Sequence, residues 1–295
     1  MQTAVQRREK TQGTRRVAFY ASERSEYAAR VLSGVLRYAD DHVGFLLREF
    51  QDDVTGRDGP AGRWAGDPVP PWDGWGADGV VAILPHGPAV VRWAMAGGAP
   101  VVSVGGDYRG QLPTVYVDPL SVADLAIDHF LVTGYVHFAF VGVRGLPTVD
   151  LRRQCLAGRL ADLGQPLLSY ELETNPWPGL YDLEARAAAE PGLSEFLRSA
   201  PKPLAVLATS DYVGRVVCMA SGRLGLGVPQ EVGVLGVDNY AAARASIPPL
   251  SSIQAPGEDV GYQAMAMLDA AVRGGAGGRP GGALASAASP PAVGV

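Results

Sequence analysis

Two aspartates, an asparagine and an arginine follow short apolar segments at positions suited to hydrogen bonding with hydroxyl groups. Asp211 comes just after LAVLA (204–208), Asp238 and Asn239 come directly after GVLGV (233–237), and Arg152 opens the helical stretch that follows FAFVGV (138–143). A carboxylate only accepts hydrogen bonds, whereas a guanidinium donates several in a fixed fork, so the combination can grip a polyol or sugar from more than one side. Each residue also has a plain structural use. Asp211 can cap a helix beginning at Tyr212, Asp238 and Asn239 can form a turn, and Arg152 can be a solvated helix residue.

Catalytic patterns are missing from the sequence. Nothing matches GxSxG, and no two carboxylates form a recognisable catalytic pair. A dinucleotide fold needs GxGxxG directly after its first strand, but that position holds Ala21-Ser22-Glu23-Arg24-Ser25-Glu26. The GxxxxGK[ST] phosphate loop is also absent. His42, His86, His129 and His137 are scattered, and Cys155 and Cys218 stand in no CxxC or Cys/His group, which predicts two reduced thiols in or near the core and no metal site. The expectation is a protein without catalytic residues, metal or cofactor, and not an enzyme.

The segments that would position these residues alternate between strands and helices. Apolar runs at 16–21, 44–50, 79–84, 100–104, 114–117, 138–143, 204–208 and 233–236 carry few charges, as strands buried on both faces of a parallel sheet do. Amphipathic spacing marks helices over 26–40, 121–132, 151–163, 181–198, 212–224 and 259–273. Strand–helix repetition gives right-handed βαβ units and doubly wound sheets. There are too many units for one small sheet, so two lobes are expected, with ligand groups at the carboxyl ends of the strands and a cleft as the binding site. Residues 52–78, rich in Gly, Pro, Trp and Asp, read as a long loop. The Gly/Ala/Pro-rich tail, 274–295, reads as a linker with one weak strand over 292–295.

The 295 residues carry a net charge of −5, which argues against the chain gripping DNA by itself. The polar N-terminus (MQTAVQRREKTQGTRR) has no apolar signal segment, and no run of about 18 apolar residues occurs. These features predict a soluble cytoplasmic protein with no membrane partner.

Larger motifs point to a family. PLAVLATSDYVGRVVCMASGRLGLGVPQEVGVLGVDN, followed by PPLSSIQAPGEDVGYQAMAML, closely resembles the effector-binding domain of the lac-repressor/ribose-binding-protein superfamily, and most of all the sensor domain of the xylose-operon activators of AraC type. Upstream, VYVDPLSVADLAIDHFLVTGYVHFAFVG resembles the family's strand–helix–strand crossing, and LRRQCLAGRLADLG loosely resembles its Arg-x-x-Gly-Phe helix. The resemblance covers about 16–273.

The resemblance implies a periplasmic-binding-protein-like type I fold: two doubly wound parallel-sheet lobes joined by a multi-strand hinge. Lobe one would hold 16–137 and 254–273, and lobe two 138–253, with a disordered segment over 1–15. The chain would cross near Phe138, near Gln254 and in the tail. It also implies that Arg152 grips the ligand, with Arg153 one step off register, that Asp211 is the ligand-site acid of the family's Asn-Asp or Thr-Asp step, that Asp238 holds sugar hydroxyls beside Asn239, and that Ser22, Glu23 and Ser121 face the ligand from the first lobe. Pro119 stands where an Asn often follows Asp118, and Ala29 where similar activators often carry Arg, which leaves the sugar's identity open. The implied function is sensing of a small, pentose-like sugar effector by ligand-induced lobe closure in a homodimeric transcription regulator. About fifteen residues precede the first strand and the chain stops where the xylose-type activators pass into their DNA-binding domain, so DNA would be reached only through a domain outside this chain. A sugar-binding transport component is the alternative.

Overall fold

The computed structural model describes residues 13–21, 25–51, 72–84, 99–105, 108–173, 190–274 and 287–288. The chain divides into two compact units, passing from the first to the second at Tyr116–Val117 and returning at Pro256–Gly257. The first unit opens with β1 (Arg15–Ala21), α1 (Glu26–Asp41), β2 (Phe45–Gln51), β3 (Gly79–Ile83), β4 (Val101–Val104) and β5 (Thr114–Val115). The second runs through α2 (Pro119–Val132), β6 (His137–Val143), α3 (Pro147–Asp162), β7 (Leu167–Leu172), α4 (Pro191–Ser199), β8 (Leu204–Ala208), α5 (Asp211–Arg223), β9 (Val232–Val237), α6 (Ala241–Arg244) and β10 (Ser251–Ile253). The chain then returns to the first unit with α7 (Gly257–Gly274) and β11 (Ala287–Ala288).

In unit one the strands form a parallel sheet of order β11-β5-β4-β3-β1-β2. β1 is an interior strand between β3 and β2, and Val17 to Ala21 are buried on both of its faces, which is why the strand is a continuous apolar run. Ser25 caps α1 by accepting from the Ala28 amide at 3.1 Å, and Ala28, Val31, Val35 and Tyr38 turn inward. α1 packs on α7 at backbone distance. A β-carbon on Gly34 would lie 1.9 Å from the Glu258 carbonyl oxygen, and one on Gly261 would lie 1.9 Å from that of Val31. Further along the same pair, the buried Asp269 carboxylate accepts from Arg15 and, at 3.0 Å, from the Tyr38 hydroxyl. On the opposite face Tyr20, Val80, Ala82, Val101, Tyr108 and Leu112 enclose Trp72. Trp72 and the 3-10 turn Asp73–Trp75 belong to the stretch expected to be loop; Trp72 is a core residue, while 52–71 lie outside the described residues.

Unit two is a parallel sheet of order β10-β9-β8-β6-β7. Side chains alternate cleanly. Ala139, Val141, Val143, Val206 and Ala208 face α4 and α5, whereas Phe138, Phe140, Ala205 and Leu207 face α2 and α3. The order reverses between β6 and β8, and the helices that follow these two strands, α3 and α5, lie on opposite faces of the sheet.

The boundary between units differs from the sequence expectation. Helix α2 was assigned to lobe one by a break near Phe138, but its buried face (Val122, Ala123, Ala126, Ile127, Phe130) packs with Phe138, Phe140, Leu156 and Leu160, so it belongs to unit two. A two-pronged ion pair from Arg159 to Asp124, 2.7 and 2.8 Å, also ties α3 to α2. Strands β7, β10 and β11 depart from the expectation, and β11, which pairs with β5, lies inside the tail read as a linker. The expected strand over 292–295 and the first part of the expected helix over 181–198 lie outside the described residues.

Two expected outcomes follow from this packing. Gly→Ala in an isolated helix stabilises it by about 1 kcal/mol, whereas the backbone clash here opposes that gain. Gly261→Ala is expected to lower stability by about 1–3 kcal/mol in urea unfolding, and a stabilised variant would contradict the close helix contact. Burial pushes the Cys218 thiol up to about 11, while Cys155 is partly exposed. At pH 8 the folded protein is expected to give one thiol equivalent with an aromatic disulfide reagent, and the second only on unfolding; two equivalents reacting equally fast in the native state would contradict this.

Candidate functional site

The carboxyl edge of the second sheet gathers most of the residues singled out from the sequence. β6, β8 and β9 end there side by side, and the Thr209 amide ties β8 to β6 by donating to the Val141 carbonyl at 2.9 Å. Arg152 projects from the second turn of α3 and is 9% exposed; its guanidinium donates to the Thr209 carbonyl at the end of β8. It thus spans the point where the strand order reverses. Arg153, the off-register alternative, is engaged elsewhere, with Asp150 at 3.1 Å and Glu171 at 3.8 Å.

Two residues beyond Thr209, Asp211 occupies the first turn of α5. The cap itself is Ser210, whose hydroxyl accepts from the Val213 amide at 3.5 Å, so Asp211 is not the helix cap. At 1% exposure its carboxylate is enclosed. One oxygen accepts from the Tyr240 amide at 2.6 Å and the other from the Ser252 hydroxyl. Gly236 makes the space, since a β-carbon there would stand 2.2 Å from Asp211 Oδ1.

Asp238 and Asn239 leave β9 with φ of +104° and +54°, both in the region that favours glycine. The turn reading is therefore correct for their backbone. It is held closely: the Asp238 amide donates to the Ile253 carbonyl at 2.9 Å and the Asn239 amide to Ser252 Oγ at 3.0 Å. The Asn239 side chain donates to Gln254 Oε1 at 2.9 Å and accepts from Arg244 at 2.9 Å. Both residues are partly exposed. The rings of Tyr212 and Tyr240 lie 5.2 Å apart beside this turn.

Ser121 lies in the first turn of α2, where its hydroxyl donates to the Asp118 carbonyl at 2.8 Å. The other end of α2 leads to Tyr135, whose hydroxyl crowds Gly233 at the start of β9, so the first turn sits at the carboxyl edge of the sheet. Ser121 thus belongs to unit two, not to the first lobe as expected. Ser22 and Glu23 lie outside the described residues.

Sequence reasoning did not single out Thr209, Gly236, Tyr240, Arg244, Ser252 or Gln254. Gly236 and Ser252 stand inside GVDN and PPLSSI, the motifs that carried the resemblance, but their work is visible only once β9 and β10 lie side by side. A separate cavity of about 440 Å³ opens at the amino edge of the same sheet, lined by His129, Phe130, Tyr135, Pro203, Pro229 and Gly233 among others. Among the described residues no group of three His, Cys, Asp or Glu could hold a metal ion, and no helix is long and apolar enough to cross a membrane.

Known proteins share this architecture. The HTH-type transcriptional repressor PurR of Salmonella paratyphi B is 28% identical over 179 residues, which is 57% of this chain and 52% of that protein. The chain spans about half the length of the curated relatives it matches. A LacI family transcriptional regulator from Arthrobacter sp. FB24, solved in complex with lactose, superposes with a TM-score of 0.68 at 23% identity, over 96% of this chain and 97% of that one. The xylose-binding transcription activator xylR superposes with a TM-score of 0.69 at 18% identity, over 96% and 69% of the two chains. These likenesses establish the type I periplasmic-binding-protein-like fold, with its two doubly wound parallel sheets. The sequence model of the periplasmic binding protein-like domain matches residues 127–282, more than half of the chain, and takes in every element that builds the carboxyl edge except Ser121 and the start of α2. The chain belongs to the periplasmic binding protein-like domain family.

Proposed function

We propose that this chain is the effector-sensing domain of a cytoplasmic transcription regulator, that its effector is a small, pentose-like sugar, and that the sugar is taken up at the carboxyl edge of unit two. The observation that carries the reading is the meeting of Arg152, Asp211, Asp238 and Asn239 at one strand-end edge, linked through Thr209 and Tyr240. Arg152, Asp238, Asn239 and Ser121 supply donors and acceptors of the kind sugar hydroxyls need. The likeness to a repressor favours a regulator over a transport component. The lactose-bound and xylose-binding relatives favour a sugar.

No chemistry is involved in this reading. A ligand that binds one arrangement of the two units more tightly than another shifts the population toward it. Lobe closure of this kind in a homodimer would change how attached DNA-binding domains are presented, and DNA would be reached through such domains rather than through this chain. Ser22 and Glu23 enter as further ligand contacts on the strength of the resemblance.

The test is a thermal-shift screen against pentoses, hexoses and sugar phosphates, followed by calorimetry with the sugar that stabilises most. A charge-assisted hydrogen bond contributes about 1.5–3 kcal/mol, so Asp238→Ala and Arg152→Ala are each expected to weaken binding roughly 10- to 100-fold while the circular dichroism spectrum stays native. Unchanged affinity in both variants would remove this edge as the site, and no stabilisation by any sugar would remove the sugar reading.

A further inference from the structure

We infer that Asp211 is a positioning residue: it fixes the Asp238–Asn239 turn from below and does not itself meet the ligand. The inference rests on the reading of the carboxyl edge as the binding site, and it gives the three acidic and amide side chains there different work. Asp238 and Asn239 are partly exposed, whereas Asp211 is 1% exposed with protein donors on both oxygens. To reach a ligand it would have to abandon the Tyr240 amide and the Ser252 hydroxyl, and each buried donor left unmet costs about 1–3 kcal/mol.

The turn needs such support. A non-glycine residue at positive φ carries a penalty of about 1–3 kcal/mol and persists only where its surroundings over-determine it. Asp238 and Asn239 are two such residues in succession. Three consecutive amides are pinned: that of Asp238 to the Ile253 carbonyl, that of Asn239 to Ser252 Oγ, and that of Tyr240 to Asp211. Two of the three run through Asp211, one directly and one through the Ser252 hydroxyl, which accepts from Asn239 and donates to Asp211. Gly236, two residues before the turn, leaves the room that the Asp211 carboxylate fills. A single enclosed carboxylate therefore couples the first turn of α5, the exit of β9 and strand β10, and sets where Asp238 presents its side chain.

The experiment is residue-resolved amide hydrogen exchange on the full chain without ligand. Asp211→Ala is expected to speed exchange of the Asn239 and Tyr240 amides about tenfold or more while the central amides of β6 and β8 keep their protection. In Asp211→Asn the side-chain oxygen can still accept from Tyr240 and its amino group can donate to Ser252 Oγ, so protection at both amides is expected to return. Should Asp211→Ala fail to fold, Ser252→Ala decides, because it removes only the relay to Asn239. Wild-type exchange at 239 and 240 in whichever of these two variants folds would overturn the inference. Because no ligand enters the measurement, failure to find a sugar would leave it standing, and its own failure would leave the sugar reading untouched.

Discussion

In the second unit the strand order turns round between β6 and β8, and the side chains at the site are arranged by that reversal. Right-handed crossovers require the helix after β6 and the helix after β8 to leave on opposite faces of the sheet. The chain therefore parts at the carboxyl ends of these two strands, where side chains add to the single backbone bond from Thr209 to Val141. Arg152 comes from the α3 side and reaches the Thr209 carbonyl; Asp211 comes from the α5 side and reaches the Tyr240 amide. Neither contact is local in sequence. Both exist because parallel strands buried on two faces force helices to both sides.

Glycine makes the close approaches possible. Gly34 and Gly261 let two helices meet at their backbones in unit one, and in unit two Gly236 gives up its side chain to the Asp211 carboxylate and Gly233 to the Tyr135 ring. In each case the neighbour held in place is polar or is main chain. Burying such a group is costly unless it finds partners, so the space is as specific as the bonds that fill it. The Asp211 pocket shows this best: a larger residue at 236 would push the carboxylate off both of its donors.

Much of the fold could be read from the sequence because parallel strands are apolar on both faces. Eight strands and most helices fall where apolar runs and helical spacing place them. The failures have definite causes. β7 (LLSYEL) is an edge strand with partly exposed side chains, so it lacks the continuous apolar run that marks the others. β10 has three residues, two of them serine, too short and too polar to register. α2 was given to the wrong unit because a helix pattern shows which face is buried but not against which sheet. The aspartates were found by their position after strands, yet nothing in their spacing separates the enclosed Asp211 from the partly exposed Asp238. That distinction depends on Ser252 and Tyr240, brought near by β10 and the turn after β9.

The same distinction divides the edge into two layers. At 18–23% identity the solved relatives keep one architecture. In this chain the enclosed groups support one another: Gly236 leaves room for the Asp211 carboxylate, which accepts from the Ser252 hydroxyl and the Tyr240 amide. The partly exposed groups, Ser121, Asp238 and Asn239, stand on that backbone, and the Asn239 side chain is itself held by Gln254 and Arg244. In an edge built in these two layers the enclosed groups keep the turn in place while the outer side chains stay open to solvent on one side. On the proposed reading of this edge, contact with an effector falls to Ser121, Asp238 and Asn239, together with Arg152 between the ends of β6 and β8, and not to the buried acid beneath them.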